Sequence, residues 1–174
     1  MRDKANAEFR AGLIAMIGPL RGYARALAGS ADAAGDLVQQ TLVQALAAQH
    51  QFVPGTVQRA WLFTILRHIW LSGMRRHGRE RRAMDGWQQE VTTTTSEDNH
   101  LATDRLAAAL STLPVLHREA LLLVSVWGLS GSEAARLCGV AEGTLRARVS
   151  RARRAMKDAL GALPSKEASD SGHR

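Results

Sequence analysis

The stretch that most constrains the fold runs from Leu129 to Leu163, where two helix patterns are joined by a turn at Gly139. Ser130 and Glu133 have the spacing of a capping box, in which each side chain satisfies a backbone N–H at the start of a helix. They predict a short helix from about Ser132 to Cys138. Gly139 supplies the turn after it, since glycine readily adopts the left-handed conformation of a sharp helix exit.

A second helix is predicted from near Glu142 to beyond Lys157, and its helical period separates two faces. One face is apolar and consists of Leu145, Val149, Ala152 and Met156. The opposite face and its edges carry small residues and arginines: Gly143, Arg146, Ala147, Arg148, Ser150, Arg151, Arg153 and Arg154. A short helix, a glycine turn and a basic second helix are typical of the helix-turn-helix, whose second helix enters the major groove of DNA. Arginine suits that groove because its planar fork pairs with guanine edges and with phosphates.

A solvated, charged helix on a small helical domain is the alternative interpretation of this stretch. Such a helix normally mixes the signs of its charges to gain pairs between residues i and i+4. Here six basic residues between Arg146 and Lys157 are accompanied only by Glu142 and Asp158. The net charge of the 174 residues is +7, which also favours a polyanionic partner, nucleic acid before membrane.

The first half of the chain predicts a helical body. Alanine and leucine dominate the composition and aromatic residues make up only 5% of it, which favours helices over sheet. Gly18 and Pro19 should break or kink the first helical stretch. The expected segments are a first stretch at about Ala5–Ala28, a helix at Asp32–Gln49, a loop at His50–Val57 and a helix at Gln58–Arg82.

The third helical stretch carries two tryptophans, Trp61 and Trp70, and ends in a basic run from Arg75 to Arg82. Trp61 is expected to pack in the core. The basic run is either a phosphate-contact segment or a solvated helix end that the helix macrodipole stabilises. One stripe of the helix has two open interpretations, core packing or stacking on unpaired bases, since every base offers a π-face. That stripe consists of Phe63, Arg67, Trp70 and Met74.

The composition changes at Ala83, which indicates a linker. Residues 83–99 contain no Lys or Arg but several acidic residues, so we expect a mobile acidic linker there. A second domain follows, with one helix at about Asp98–Ser111 and another from Pro114 to Gly128. Residues 164–174 are polar and are expected to be disordered. The predicted fold class is all-α, with two small helical domains joined by a flexible linker.

Patterns that indicate an enzyme are missing from the sequence. It has no paired carboxylates on one helix face, no Cys/His metal spacing, no glycine-rich phosphate loop, and no nucleophile with its base. We therefore expect no catalysis, no metal and no cofactor. The single cysteine, Cys138, excludes a disulfide framework and should be a small buried hydrophobe. No signal peptide or membrane-spanning run is recognisable, which predicts a cytoplasmic protein.

Four segments in two stretches carry a family resemblance. The first stretch is DLVQQTLVQAL followed by FVPGTVQRAWLFTILRHIWLSGMRR, and the second is LPVLHREALLLV followed by EAARLCGVAEGTLRARVSRARRAM. Together they resemble the extracytoplasmic-function (ECF) sigma factors, the smallest class of bacterial promoter-specificity subunits. The match extends in order from about Leu20 to Leu160, with the acidic linker in between. The Phe-Val-Pro-Gly-Thr loop and the Cys-Gly step at 138–139 are closest to the general-stress-response branch of alphaproteobacteria.

The resemblance implies a region 2 at residues 9–82, which binds core RNA polymerase and melts the minus-ten promoter element. The loop at residues 50–58 matches one that captures a flipped-out base, a movement that costs roughly a few kcal/mol of unstacking. The matching positions for the polymerase contact are Asp36, Leu37, Gln39 and Gln40. The candidate DNA-binding residues of this region are Arg67, His68, Arg75 and Arg76.

The resemblance also implies a region 4 at residues 100–163, which reads the minus-thirty-five element as duplex. Its candidate DNA-binding residues are Thr144, Arg146, Ala147, Arg148, Ser150, Arg151 and Arg154. The implied partners are core RNA polymerase, promoter DNA as minus-thirty-five duplex and minus-ten single strand, and an anti-sigma protein that masks the idle chain. The linker would thread into the polymerase, and no membrane partner is implied.

Some positions depart from the family pattern. Gln40 stands where the family usually has a glutamate, and His68 replaces a common asparagine. Ala147 replaces a frequent polar residue and cannot donate a hydrogen bond to a base. Gly131 and Ser132 replace an aromatic–glutamate pair. Base preference therefore does not transfer from relatives.

Two alternatives from other functional classes remain open. A helix-turn-helix regulator that acts by occupancy, without polymerase, would need only the second domain. A helical adaptor would bind protein alone, and its DNA binding would lack a steep dependence on salt.

Overall fold

A computed structural model describes residues 2–53, 58–83 and 101–162, with side chains described at 6–53, 58–76 and 105–161. Every regular element in these ranges is a helix, which confirms the predicted all-α class. The chain divides into two compact units, the first ending at Thr95 and the second starting at Ser96.

The first unit contains four α-helices and one 3₁₀ turn. They are α1 (Arg2–Ala15), α2 (Ile17–Ala28), α3 (Ala31–Ala47), a 3₁₀ turn (Gln49–Gln51) and α4 (Gln58–Ala83). The predicted break in the first stretch falls at Met16, two residues before Gly18. Pro19 occupies the first turn of α2, where a backbone N–H has no partner within the helix and its loss is tolerated.

The link between α2 and α3 is short because its two residues each satisfy a helix end. Gly29 ends α2 in the left-handed conformation, with φ at 79°. Ser30 then caps α3, and its Oγ accepts a hydrogen bond from the backbone N–H of Ala33 at 3.3 Å. The two helices pack against each other and against α4.

The core of the first unit centres on an aromatic contact between α2 and α4. The rings of Tyr23 and Phe63 lie 4.6 Å apart, and Leu20, Leu62 and Leu66 are fully buried around them. Burial of such large apolar side chains is the main favourable contribution to folding. Residues from α2 and α4 therefore hold α3 in place.

A second aromatic cluster ties α1 to the chain on either side of the loop before α4. Phe9 lies 5.5 Å from Phe52 and 6.0 Å from Trp61, measured between ring centroids. Gln58 Nε2 also donates a hydrogen bond to the carbonyl oxygen of Phe9 at 3.2 Å. Gly12 permits this approach, since a Cβ there would collide with the side-chain amide of Gln58. Trp61 packs against these rings as predicted, although its side chain is half-buried and not fully enclosed.

The second unit contains four helices: α5 (Leu101–Ser111), α6 (Val115–Ser125), α7 (Gly131–Cys138) and α8 (Glu142–Ala162). α8 packs against the other three. Arg118 fixes the link between α5 and α6, because its Nη2 donates to the carbonyl oxygens of Ser111 at 3.3 Å and Leu113 at 3.1 Å. Burial lowers the pKa of the Arg118 guanidinium from its ordinary value.

Candidate nucleic-acid and polymerase interfaces

The start of α7 has the capping box that the sequence predicted. Ser130 Oγ accepts the backbone N–H of Glu133 at 3.2 Å, and Glu133 Oε2 accepts the backbone N–H of Ser130 at 2.8 Å. Gly139 ends α7 in the left-handed conformation, with φ at 62°. Cys138 is buried, as expected. The sequence therefore determines the entry and the exit of α7 locally, and α8 starts three residues after the glycine.

The orientation of α8 is also confirmed. Its apolar face is buried in the second unit and consists of Leu145, Val149, Ala152 and Met156. The candidate DNA-binding side chains Thr144, Arg146, Ser150, Arg151 and Arg154 are exposed. Ala147 and Arg148 are half-buried, and Arg148 Nη1 is buried without a hydrogen bond. The outward face of α8 thus presents guanidinium groups and hydroxyls, which are donors that phosphates and base edges accept.

An ion pair lies at the start of this basic face. Arg146 Nη2 donates to Glu142 Oε1 at 2.9 Å, one helical turn apart, and the two side chains are 78% and 50% exposed. Sequence analysis did not assign a role to Glu142, although its spacing from Arg146 is the ordinary signal for such a pair.

The candidate polymerase face lies on α3. Asp36, Gln39 and Gln40 are exposed, whereas Leu37 is only 6% exposed. Leu37 is buried because it precedes the fully buried Thr41 by one turn and shares its inward face. The contact of Leu37 with polymerase stays a prediction, and in this structure the side chain lies beneath the exposed residues of α3.

Two apolar side chains extend the exposed side of α3. Val43 is 68% exposed, and Leu46 is also exposed. Val43 lies one turn beyond Gln39, so polar and apolar side chains follow each other along the same face. No pattern in the sequence assigned a role to Val43 or Leu46, so this surface was missed.

The candidate DNA-binding residues on α4 do not share one surface. His68, Arg75 and Arg76 are exposed. Arg67 is only 8% exposed, and its expected contact with melted DNA stays a prediction. The reason for its burial is helical periodicity: Arg67 follows Phe63 by one turn, and Phe63 is fully buried. Base stacking is excluded for Phe63 in the same way, whereas Trp70 is half-buried and Met74 is exposed.

An open groove of about 420 Å³, lined by both polar and apolar residues, lies between α3 and α4. It brings the predicted polymerase position Gln40 together with the predicted DNA positions His68 and Arg76, and Gln44 and Ser72 complete the polar lining. The sequence alone did not predict this proximity, because it arises from the packing of two helices that are separated by a loop.

Several predictions fall outside the described residues. They concern the Pro54-Gly55 turn of the base-capture loop, the side chains of the basic run after Arg76, most of the linker at 83–99, and the tail at 164–174. Within residues 2–53, 58–83 and 101–162, no group of three or more His, Cys, Asp and Glu side chains could hold a metal ion. Among the helices described, none combines the length and hydrophobicity that crossing a membrane requires.

Comparison with known proteins identifies the family. The model for the sigma2 domain of PhyR matches residues 13–67, and the model for sigma-70 region 4 matches residues 103–156. The ECF RNA polymerase sigma factor EcfG of Rhodopseudomonas palustris is 44% identical over 142 residues, which cover 81% of this chain and 78% of the relative. The chain belongs to the ECF sigma factors.

Solved structures agree with this assignment. The sigma factor RpoE of Bartonella quintana, crystallised with the anti-sigma factor NepR, is 37% identical with a TM-score of 0.78, and the match covers 90% of this chain and 99% of that one. The PhyR–NepR complex of Sphingomonas sp. Fr1 is 28% identical with a TM-score of 0.63, covering 93% and 95%. These similarities confirm that this ECF sigma factor belongs to the predicted alphaproteobacterial stress-response branch.

Proposed function

We propose that this ECF sigma factor directs core RNA polymerase to promoters of stress-response genes, with its two units in separate roles. Residues 9–82 act as region 2, which binds core polymerase and holds the melted minus-ten strand. Residues 100–163 act as region 4, which binds the minus-thirty-five duplex. Residues 83–99 connect them as an acidic linker, and residues 164–174 form a tail with no assigned contact.

The observation that carries the proposal is the division of α8 into two faces. Its apolar side is covered by the other helices of the second unit, so the helix has one stable orientation. Its arginines are then held outward on a rigid element, beginning at the helix N-terminus that enters the groove in helix-turn-helix proteins. Sequence-specific contacts need this rigidity, because base edges are read over distances of about one hydrogen bond.

The polymerase contact is proposed on the outward side of α3, through Asp36, Gln39 and Gln40, with Val43 extending it. Interfaces of this kind combine an apolar contact with polar side chains around it. His68, Arg75 and Arg76 on α4 are proposed to contact the separated DNA strand. Arg67 is proposed to join them when the strand is bound.

An anti-sigma protein is the second proposed partner. Two of the similar structures contain NepR, bound to the Bartonella quintana sigma factor and to the Sphingomonas PhyR. We infer that a protein of this type binds the idle chain and covers its polymerase-binding face. The chain itself performs no chemistry in this scheme, and it acts in the cytoplasm, where polymerase and promoters are found.

The decisive experiment is reconstitution. The full chain is mixed with core RNA polymerase, and transcription start sites are mapped across a promoter library. We expect starts that depend on defined minus-ten and minus-thirty-five sequences. If the chain copurifies with DNA but not with core polymerase, it is an occupancy regulator instead, and the proposal is wrong.

A further inference from the structure

The ion pair between Glu142 and Arg146 places a negative charge among residues that would face DNA. Glu142 is the first residue of α8, and its side chain is half exposed. A carboxylate near phosphates weakens binding to every DNA sequence, because its charge repels the backbone. Its presence on the basic face therefore needs a reason.

Folding stability is only a weak reason for a carboxylate at position 142. A glutamate at a helix N-terminus is favourable toward the macrodipole, but exposed ion pairs contribute little to stability. The same benefit would be available from an acidic residue on a face of the helix turned away from DNA. The specific feature here is the partner, since Arg146 is one of the candidate base-reading residues.

The geometry leaves Arg146 able to read a base while it is held. A guanidinium group has five N–H donors, and Nη2 carries two of them. The bond to Glu142 uses one hydrogen of Nη2, so the others stay available to the acceptors of a guanine edge. A phosphate is attracted mainly by the positive charge of Arg146. Because Glu142 already neutralises part of that charge, the attraction of Arg146 to phosphate is weaker.

We propose that Glu142 is a positioning residue that makes Arg146 selective for a base over the phosphate backbone. It holds the guanidinium in one orientation before DNA arrives, and it reduces the attraction of Arg146 to neighbouring phosphates, whose contacts carry no sequence information. Discrimination at the minus-thirty-five element then increases while affinity for DNA in general decreases. This inference rests on the proposed function of region 4.

The test uses the holoenzyme reconstituted from the full chain and core polymerase, with a promoter library randomised at the minus-thirty-five element. Glu142→Gln removes the charge but keeps the size and the helix propensity of the residue. We expect preference at one base pair to fall about two- to threefold, the size of effect that an exposed pair one helical turn apart can supply. Binding to unrelated duplex should rise.

Asp158→Asn is the matched control. It removes the same charge from the same helix, about 24 Å further along its axis. We expect this variant to leave base preference unchanged. In a chain that already carries Arg146→Ala, Glu142→Gln should cause no further loss of preference, because the two residues act as one unit.

Arg146→Lys is a second test of whether the held guanidinium determines base preference. Lysine keeps the charge but lacks the planar fork, so preference at that base pair should fall as it does in Glu142→Gln. Amide hydrogen exchange in α8 verifies that both variants fold.

Two results would overturn the inference. If Glu142→Gln strengthens binding to all sequences by one factor and preserves preference, Glu142 is only a surface charge. If Glu142→Gln lowers preference further in the Arg146→Ala chain, it acts independently of Arg146. A wild-type holoenzyme with no preference at minus-thirty-five would instead refute the proposed function of region 4, and this inference with it.

Discussion

Side-chain burial separates the candidate residues into those that can touch a partner and those that support it. Leu37 and Arg67 match family contact positions in sequence, yet both are buried. A motif gives the identity of a residue, whereas its exposure depends on which side of the helix packs against a neighbour. The burial of Arg67 was not predicted, since arginine is usually exposed, although its one-turn spacing from Phe63 indicated the inward face.

Arg151 offers a direct test of base reading. Arg151→Ala should lower discrimination at one minus-thirty-five base pair by about 1–3 kcal/mol if the guanidinium contacts a base. The measurement is promoter selection by the holoenzyme on the randomised library. Lys157→Ala is the control, because it removes an exposed charge further along α8 and should weaken all sequences alike. An equal loss on all sequences for Arg151→Ala would show that Arg151 contacts only phosphate.

The turn between α7 and α8 is the element that the sequence predicted most completely. Its capping box and its glycine are local signals. Helix α7 begins within one residue of its predicted start and ends at the predicted Cys138, and α8 begins at the predicted Glu142. The break between α1 and α2 was placed less well, since it depends on how α1 packs as well as on proline. The groove between α3 and α4 was not predicted at all, because no local pattern describes the contact of helices distant in sequence.

Two glycines near this turn should respond in opposite ways to alanine. Gly139→Ala should lower the free energy of unfolding of the second unit by about 1–2 kcal/mol, since φ is +62° there and a Cβ is strained. Gly143→Ala lies in the first turn of α8 with open space around it and should raise stability by roughly 0.5 kcal/mol or less. Hydrogen exchange of α8 amides in the full chain measures both. Equal effects of the two changes would contradict this account of the turn.

At the scale of the whole molecule, function depends on surfaces that belong to two separately folded units. The all-α class, the two-domain organisation and the family could be inferred from the sequence, because they depend on repeated patterns spread over many residues. The composition of the polymerase face could not, since the exposure of Val43 follows from the packing of α3 against both α2 and α4. Assembly with polymerase is therefore the property that most needs direct measurement.

Substitution of Val43 tests the proposed polymerase contact through the affinity of the chain for core polymerase. Val43→Asp should weaken binding to core polymerase about tenfold, equivalent to about 1.4 kcal/mol, because it introduces a charge into an apolar contact. Ile14→Asp is the control, since Ile14 is equally exposed on α1 but lies outside the proposed face. Affinity is measured by titrating labelled sigma chain with core polymerase. Equal weakening by both variants would place the contact elsewhere.

Gly12 has a consequence for how the family can vary at its amino-terminal helix. Any side chain at this position would meet the far end of the Gln58 side chain, which would turn away and lose its hydrogen bond to the Phe9 carbonyl oxygen. The Gln58 side chain is flexible, so it can move without a change in the contacts of the Phe9 ring with Phe52 and Trp61. A larger residue at position 12 should therefore cost about that one hydrogen bond, and an amide at position 58 is expected to lose its advantage wherever position 12 is not glycine.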